Sequence, residues 1–216
     1  MLHLFSLMLG LLGTPVVDEC ELSSMPVVDV ATHRHERQLR ECIERRSVWL
    51  RAFANRDPRL RIPGSAGKWV GAIRVEQSRL LSSHGLAAGY RVENSMGEPV
   101  SPIAVYPKKG LALFEGVSLS KDVVIPTKKT INVGRVFFAV DRSAKLVRFS
   151  VLGKGAASLG YYWLTNAQLP IGTPVYTGRA EFVSIVGLNA PDGRSLLLPT
   201  EAFDTLVNQK GMAVEP

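Results

Sequence analysis

Ser82 and His84 lie two residues apart in Leu80-Leu-Ser-Ser-His-Gly-Leu86. On an extended strand that spacing turns a hydroxyl and an imidazole to one face. Such a pair is the core of acyl transfer, in which the imidazole takes the proton as the oxygen attacks a carbonyl carbon. The chemistry also needs a carboxylate to fix the imidazole's tautomer and N–H donors to hold the developing oxyanion. Ser83 and Thr173 are further hydroxyls that could enter it, but no oxyanion donors are identifiable from the residues. Other chemistries find less support. His33 and His35 would face different sides of a helix, and no carboxylate motif completes a metal site there. Cys20 and Cys42 have no C-x-x-C context and read as reduced thiols rather than a disulfide framework or zinc site. Gly64-Ser-Ala-Gly-Lys68 lacks the spacing of a phosphate-binding loop, and Gly153-Lys-Gly155 reads as a hairpin turn. Carboxylates are scattered without paired spacing, so neither a metal nor a cofactor is expected.

Charge is the second feature with chemical content. The 216 residues carry a net charge of +7 with a pI near 9.6, which suggests an anionic neighbour such as RNA, DNA, an anionic membrane or an acidic protein surface. From Arg34 to Arg61 nine arginines face four acids, so this short region holds +5 of the total. Leu39, Ile43, Leu50 and Phe53 recur there at helical spacings, with Asp29 or Thr32 as a cap and Asn55, Asp57 and Pro58 as a stop. On such a helix Arg34, Arg37, Arg40, Arg45, Arg46, Arg51 and Arg56 are candidates to grip nucleic-acid phosphates or an anionic partner. The same charges also fit a solvated face opposite an apolar stripe, supported by i,i+4 pairs such as Glu41 to Arg45. A second nucleic-acid candidate is Tyr161-Tyr-Trp163 with Lys145, Arg148 and Lys154, although a strand alternating between core and surface accounts for the triplet better.

These residues must be positioned mainly by strands. Residues 68–75, 79–82, 88–92, 100–105, 111–114, 133–140, 146–152, 161–165, 174–177, 181–187 and 195–199 are short runs rich in β-branched and aromatic types. Turns such as Asn94-Ser-Met-Gly97 and Pro107-Lys-Lys-Gly110 separate them, the pattern of an all-β barrel or sandwich. Pro63 to Gly67 reads as a join ahead of the strands. The apolar Leu2 to Leu12 is too short to span a bilayer as a helix, which takes roughly 20 residues. It is expected either as a targeting signal or as a retained segment that docks on a partner.

Several motifs are arranged in a familiar order. Leu80 to Leu86 resembles the "L-T-N-x-H-V-V" segment of trypsin-like serine proteases of the HtrA (DegP-like) branch, and Val105 to Leu113 resembles their "V-D-P-x-x-D-L-A-L". Gly172-Thr-Pro-Val175 stands where their Gly-Gly-Pro-Leu would be, Glu181 to Gly187 follows as the next strand, and Leu197-Leu-Pro199 leads into a helical segment over 200–207. The resemblance covers roughly Lys68 to Asn208 and implies a chymotrypsin/trypsin-like double β-barrel with an N-terminal helical extension and a short C-terminal helix. The implied division is an apolar tail and linker (1–29), a basic helical arm (30–62), a first barrel (67–120) and a second barrel with the C-terminal helix (121–216). It also places His84 on the catalytic histidine, Gly110 on the aspartate that orients it, and Leu169-Pro-Ile171 before Gly172 where the serine should stand.

Two of three catalytic groups are thus missing, and the expectation is a pseudoprotease, not an enzyme, with His84 packed where the barrels meet. The expected role is a structural or scaffold subunit of a larger assembly, ribonucleoprotein or mitochondrial, whose partners are other subunits and RNA. Two alternatives stay open: direct RNA or DNA binding through the basic arm, and a divergent serine hydrolase using His84. The basic composition and the lack of acids in the first 17 residues point to the mitochondrion, with the cytoplasm as alternative.

Overall fold

The computed structural model describes residues 20, 33–54, 67–76, 78–87, 90–116, 124, 129–157 and 160–203. One helix, α1 (His33–Arg46), precedes twelve strands: β1 (Ser47–Ala54), β2 (Lys68–Glu76), β3 (Arg79–Ser83), β4 (Tyr90–Glu93), β5 (Pro99–Tyr106) and β6 (Leu111–Glu115), then β7 (Val136–Val140), β8 (Leu146–Ala157), β9 (Gly160–Thr165), β10 (Pro174–Tyr176), β11 (Phe182–Asn189) and β12 (Ser195–Leu197). They close into two antiparallel barrels of six strands, ordered β1-β2-β3-β6-β5-β4 and β10-β11-β12-β9-β8-β7. The all-β double barrel expected from the sequence is the fold that forms.

Alternation along each strand fills each barrel. Val48, Leu50 and Ala52 of β1 point inward to join Val70, Ala72, Leu80, Val92, Val100 and Phe114. In the second barrel Phe137, Phe149, Val175, Val183, Val186 and Leu197 do the same. A third cluster lies between the barrels, where Ile73, Leu81, Leu111 and Leu113 of the first meet Tyr176, Phe182 and Ile185 of the second. Leu39 and Ile43 of α1, both fully buried, are wedged into that cluster.

The expected basic arm divides into two elements of different kind. The helix stops at Arg46, where Ser47 Oγ donates to Ile43 O at 2.8 Å and Arg46, itself buried, donates from Nη1 to Ala180 O at 2.6 Å. Residues 47–54, read from the sequence as further helix, form β1 instead. Leu50 and Phe53 do fit a helical period, but Val48, Leu50 and Ala52 also fit a period of two, and the Val-Trp pair favours the pleated surface. Pairing with both β2 and β4 decides the matter. The expected C-terminal helix begins as a 3-10 turn over Thr200–Phe203, and its remainder lies outside the described residues. The apolar stretch at 2–12 and all of the join except Gly67 also lie outside them. No described helix is long and apolar enough to cross a membrane.

Candidate functional site at the seam between the barrels

The segment that carries His84 runs directly against the second barrel. Ser82, near the end of β3, is held on β6 opposite Ala112, and its Oγ donates to Gly71 O of β2 at 2.6 Å. Gly71 N–H in turn donates across the seam to Ile171 O at 2.8 Å. Backbones touch here: a Cβ on Gly71 would stand 2.5 Å from Thr173 Cα, and one on Gly172 would collide with Gly71 O and Ser82 Oγ. Ser83 Oγ donates to Gly187 O of β11 at 2.8 Å. His84 then opens a 3-10 turn (His84–Leu86), and its N–H donates to Gly110 O at 2.9 Å. The result is a contact zone built from Gly71, Ser82 to His84, Ile171 to Thr173 and Gly187.

Within this zone the hydroxyls are not equal. The protons of Ser82 and Ser83 are committed to backbone carbonyls, so the Ser82–His84 pairing suggested by their spacing does not form. Thr173 Oγ1 and His84 Nδ1 are buried atoms with no hydrogen-bond partner among the described residues. Backbone donors are committed as well: Gly172 N–H to Val186 O at 2.7 Å and Thr173 N–H to Pro170 O at 3.2 Å. An oxyanion site therefore does not stand open at this turn.

Gly110, on the position implied for the orienting aspartate, ends a 3-10 turn with φ of 72°. A Cβ there would lie 2.6 Å from Leu198 Cδ2 and 3.6 Å from Tyr162 Oη. Tyr162 and Leu198 also crowd Gly187 from the same side. The side chains of Leu198 and Tyr162 thus occupy the space a carboxylate would need, and burial pushes the Tyr162 phenol above its ordinary value. Among the described residues no carboxylate hydrogen-bonds His84. No group of three or more His, Cys, Asp and Glu able to hold a metal occurs among them either.

Of the seven arginines singled out from the sequence, those whose side chains are described do not form one face. Arg37 is exposed and paired with Glu41 at 2.9 Å, Arg40 approaches the same carboxylate at 4.0 Å, and Arg34 lies in the first turn of α1. Arg45 Nη2 donates to Cys20 Sγ at 3.0 Å and lies 3.9 Å from Cys42 Sγ. Arg46 is buried against the second barrel, and Arg51 belongs to β1. Arg56 lies outside the described residues. Of the aromatic triplet, Tyr162 is core, while Trp163 is partly buried with Lys154 5.2 Å from its ring centre.

A cluster of arginines and aromatic rings, centred on the first barrel, was not legible from residue spacing. Arg51 lies over Phe53 at 5.2 Å and over Trp69 at 5.5 Å, Arg91 over Phe53 at 5.0 Å, and Arg142 of the second barrel over Trp69 at 3.8 Å. The signal was present as outward alternation in Trp49-Leu-Arg-Ala-Phe53, which the helical reading hid.

No protein-family model and no curated protein matches this chain. Solved structures do. It is similar to Deg5 over 81% of its length and 91% of that chain, with a TM-score of 0.56 and 14% identity. The HtrA-type protease AlgW with a tripeptide is similar at a TM-score of 0.55 and 13% identity, over 79% of this chain and 64% of that one. A serine endoprotease from Yersinia pestis is similar at a TM-score of 0.54 and 13% identity, over 79% of this chain and 67% of that one. The chain therefore spans a little under two thirds of the AlgW structures it matches. These likenesses correct the expectation that the chain is not an enzyme: structures it superimposes on include HtrA-type proteases and a serine endoprotease. At this identity the likeness is one of fold, and the fold of this chain is the trypsin-like double barrel of the HtrA-type proteases.

Proposed function

We propose that the chain is a divergent hydrolase that cleaves acyl bonds at the seam between its barrels, with His84 as general base and the Thr173 hydroxyl as nucleophile. One observation carries this reading. The seam holds a base and a hydroxyl whose polar atoms are both buried and uncommitted, while the neighbouring serine hydroxyls are committed to carbonyls. An orphaned buried polar atom costs about 1–3 kcal/mol, and two such atoms in one zone, a base and a hydroxyl, are what support this reading.

His84 accepts the Thr173 proton as Oγ1 bonds to the substrate's carbonyl carbon, and the imidazolium then protonates the leaving amine or alkoxide. Water repeats the sequence on the acyl-enzyme and regenerates both side chains. Turnover on this arrangement is slow for two reasons. Loss of an orienting carboxylate alone costs about 10⁴ in kcat in enzymes of this fold. In addition, Thr173 is fully buried and the Gly172 and Thr173 N–H groups are held by Val186 and Pro170. His84 Nδ1 and Thr173 Oγ1 are not hydrogen-bonded to each other, so reaction requires the 170–173 turn to move, bringing the hydroxyl to the imidazole and freeing oxyanion donors.

The test is covalent labelling of the full chain by a serine- and threonine-directed fluorophosphonate, with the adduct mapped by mass spectrometry. Labelling on Thr173 that vanishes in Thr173→Val and falls more than about tenfold in His84→Ala is expected. Ser101→Ala, exposed on β5, leaves it unchanged. Absence of any adduct, or an adduct insensitive to His84→Ala, sinks the reading.

A further inference from the structure

The arginine and aromatic cluster on the first barrel has a consequence for what the seam accepts. On the outer face of β1 and its neighbours, register places Trp69 and Glu93 on either side of Arg51, and Arg91 opposite Phe53. Trp69 shares its face of β2 with Gly71, the residue in backbone contact with Thr173, and stands about 7 Å from it at the rise of a strand. Arg142 reaches this ring from the turn between β7 and β8, so both barrels contribute to one shelf that borders the seam.

The charge of the shelf is one-sided. Among the described residues Arg51, Arg91 and Arg142 face a single carboxylate, Glu93, which pairs with Arg91 at 2.8 Å. Asp141, beside Arg142, is turned into its own loop, where its Oδ1 accepts from Ser143 N–H, Ser143 Oγ and Lys145 N–H at 2.7–2.9 Å. Arg51 Nε is a buried donor with no partner among the described residues. A guanidinium laid on a ring is fixed in its plane and keeps its N–H edge free to meet two oxygens at once.

We propose that this shelf is a subsite for acidic, extended peptide, and that its arginines bind Asp and Glu carboxylates of a segment entering the seam. This deepens the hydrolase reading by naming its substrate class. Single-stranded nucleic acid is the competing polyanion, and it binds by stacking bases on open aromatic faces. Here Phe53 and Trp69 are each already covered by two guanidinium groups, so the shelf offers donor edges rather than free rings. The donor edges of Arg51 and Arg142 fit carboxylate forks.

Binding tests the assignment independently of hydrolysis. The full chain is titrated with a fluorescent peptide of alternating Asp and Glu, with its Asn and Gln counterpart, and with oligouridylate, by anisotropy and tryptophan emission. The acidic peptide binds and perturbs tryptophan emission, and the neutral peptide does not bind. Arg142→Glu weakens the complex about tenfold or more, the equivalent of one lost charge-assisted hydrogen bond. Arg148→Glu, an equal charge change at an exposed position of β8, leaves it within a small factor. Binding persists in His84→Ala, so a failed hydrolase reading does not remove it. Equal weakening by Arg148→Glu would make the attraction a matter of net charge, and oligouridylate that binds while the peptide does not would assign the shelf to nucleic acid; either result overturns the proposal.

Discussion

Gly172 has no room for a side chain and no conformation to offer one. Its φ is 79°, in the left-handed region, and a Cβ would enter the space of Gly71 O and Ser82 Oγ. Gly97 shares nearly the same φ of 84° but has nothing within 4 Å of a Cβ. The two sites therefore separate strain from contact. Gly97→Ala loses only the left-handed penalty, about 1–2 kcal/mol. Gly172→Ala adds the cost of overpacking and loses about 2–5 kcal/mol in all, read as midpoint shifts in urea unfolding. Equal losses at both positions would show that the two barrels yield at Gly71 rather than hold it. At this scale the sequence was informative about position and silent about state. His84, Gly110 and Gly172 were located by motif, and the structure brings all three to the seam. What spacing could not reveal is which hydroxyl is free, because Ser82 and Ser83 are committed to the carbonyls of Gly71 and Gly187, the latter on the other barrel.

At the scale of elements, α1 shows how a basic segment becomes part of a core. Its stripe of Leu39 and Ile43 was legible from period, but its end was not, since Leu50 and Phe53 fit helix and strand alike. The helix is also held by Cys20, a buried thiol in the same cluster that accepts from Arg45 at 3.0 Å. Burial, and then hydrogen bonding and electrostatic interaction with Cys42, push the Cys20 thiol up to about 12. The folded thiol consequently keeps its proton when the unfolded one, near 9, has lost it. Between those two values the folded state binds more protons, so its stability falls as pH rises. Below the unfolded value the contribution is flat. Unfolding midpoints measured from neutral to strongly alkaline pH should therefore fall more steeply for the native chain than for Cys20→Ser, and alkylation of Cys20 in the folded chain should be slow at neutral pH. Rapid labelling, or identical pH profiles for the two chains, would show that Cys20 is not enclosed against α1.

For the whole molecule, the fold was more legible than the site because barrels are written in local alternation, whereas a seam is written in pairings between residues about 100 positions apart, such as Ser83 with Gly187. Those pairings make the two barrels one unit. Gly71 N–H reaches Ile171 O, and Tyr176 Oη reaches the last carbonyl of α1 at 3.4 Å. Ile73, Leu81 and Leu113 share a single buried cluster with Phe182, Ile185 and α1. Separating the barrels would expose that cluster to water at about 25 cal/mol for each Å² of apolar surface and leave both sets of carbonyls without donors. Thermal unfolding is therefore expected as one transition, with calorimetric and van't Hoff enthalpies equal and near- and far-ultraviolet dichroism coincident. Ile185→Ala, in the middle of the shared cluster, should lower that single transition by about 2–5 kcal/mol without splitting it. Two resolved transitions in the native chain would mean that the barrels are held together by less than their contacts suggest. The 170–173 turn would then open by barrel separation rather than by local movement, and Thr173 labelling would rise with the first of the two transitions.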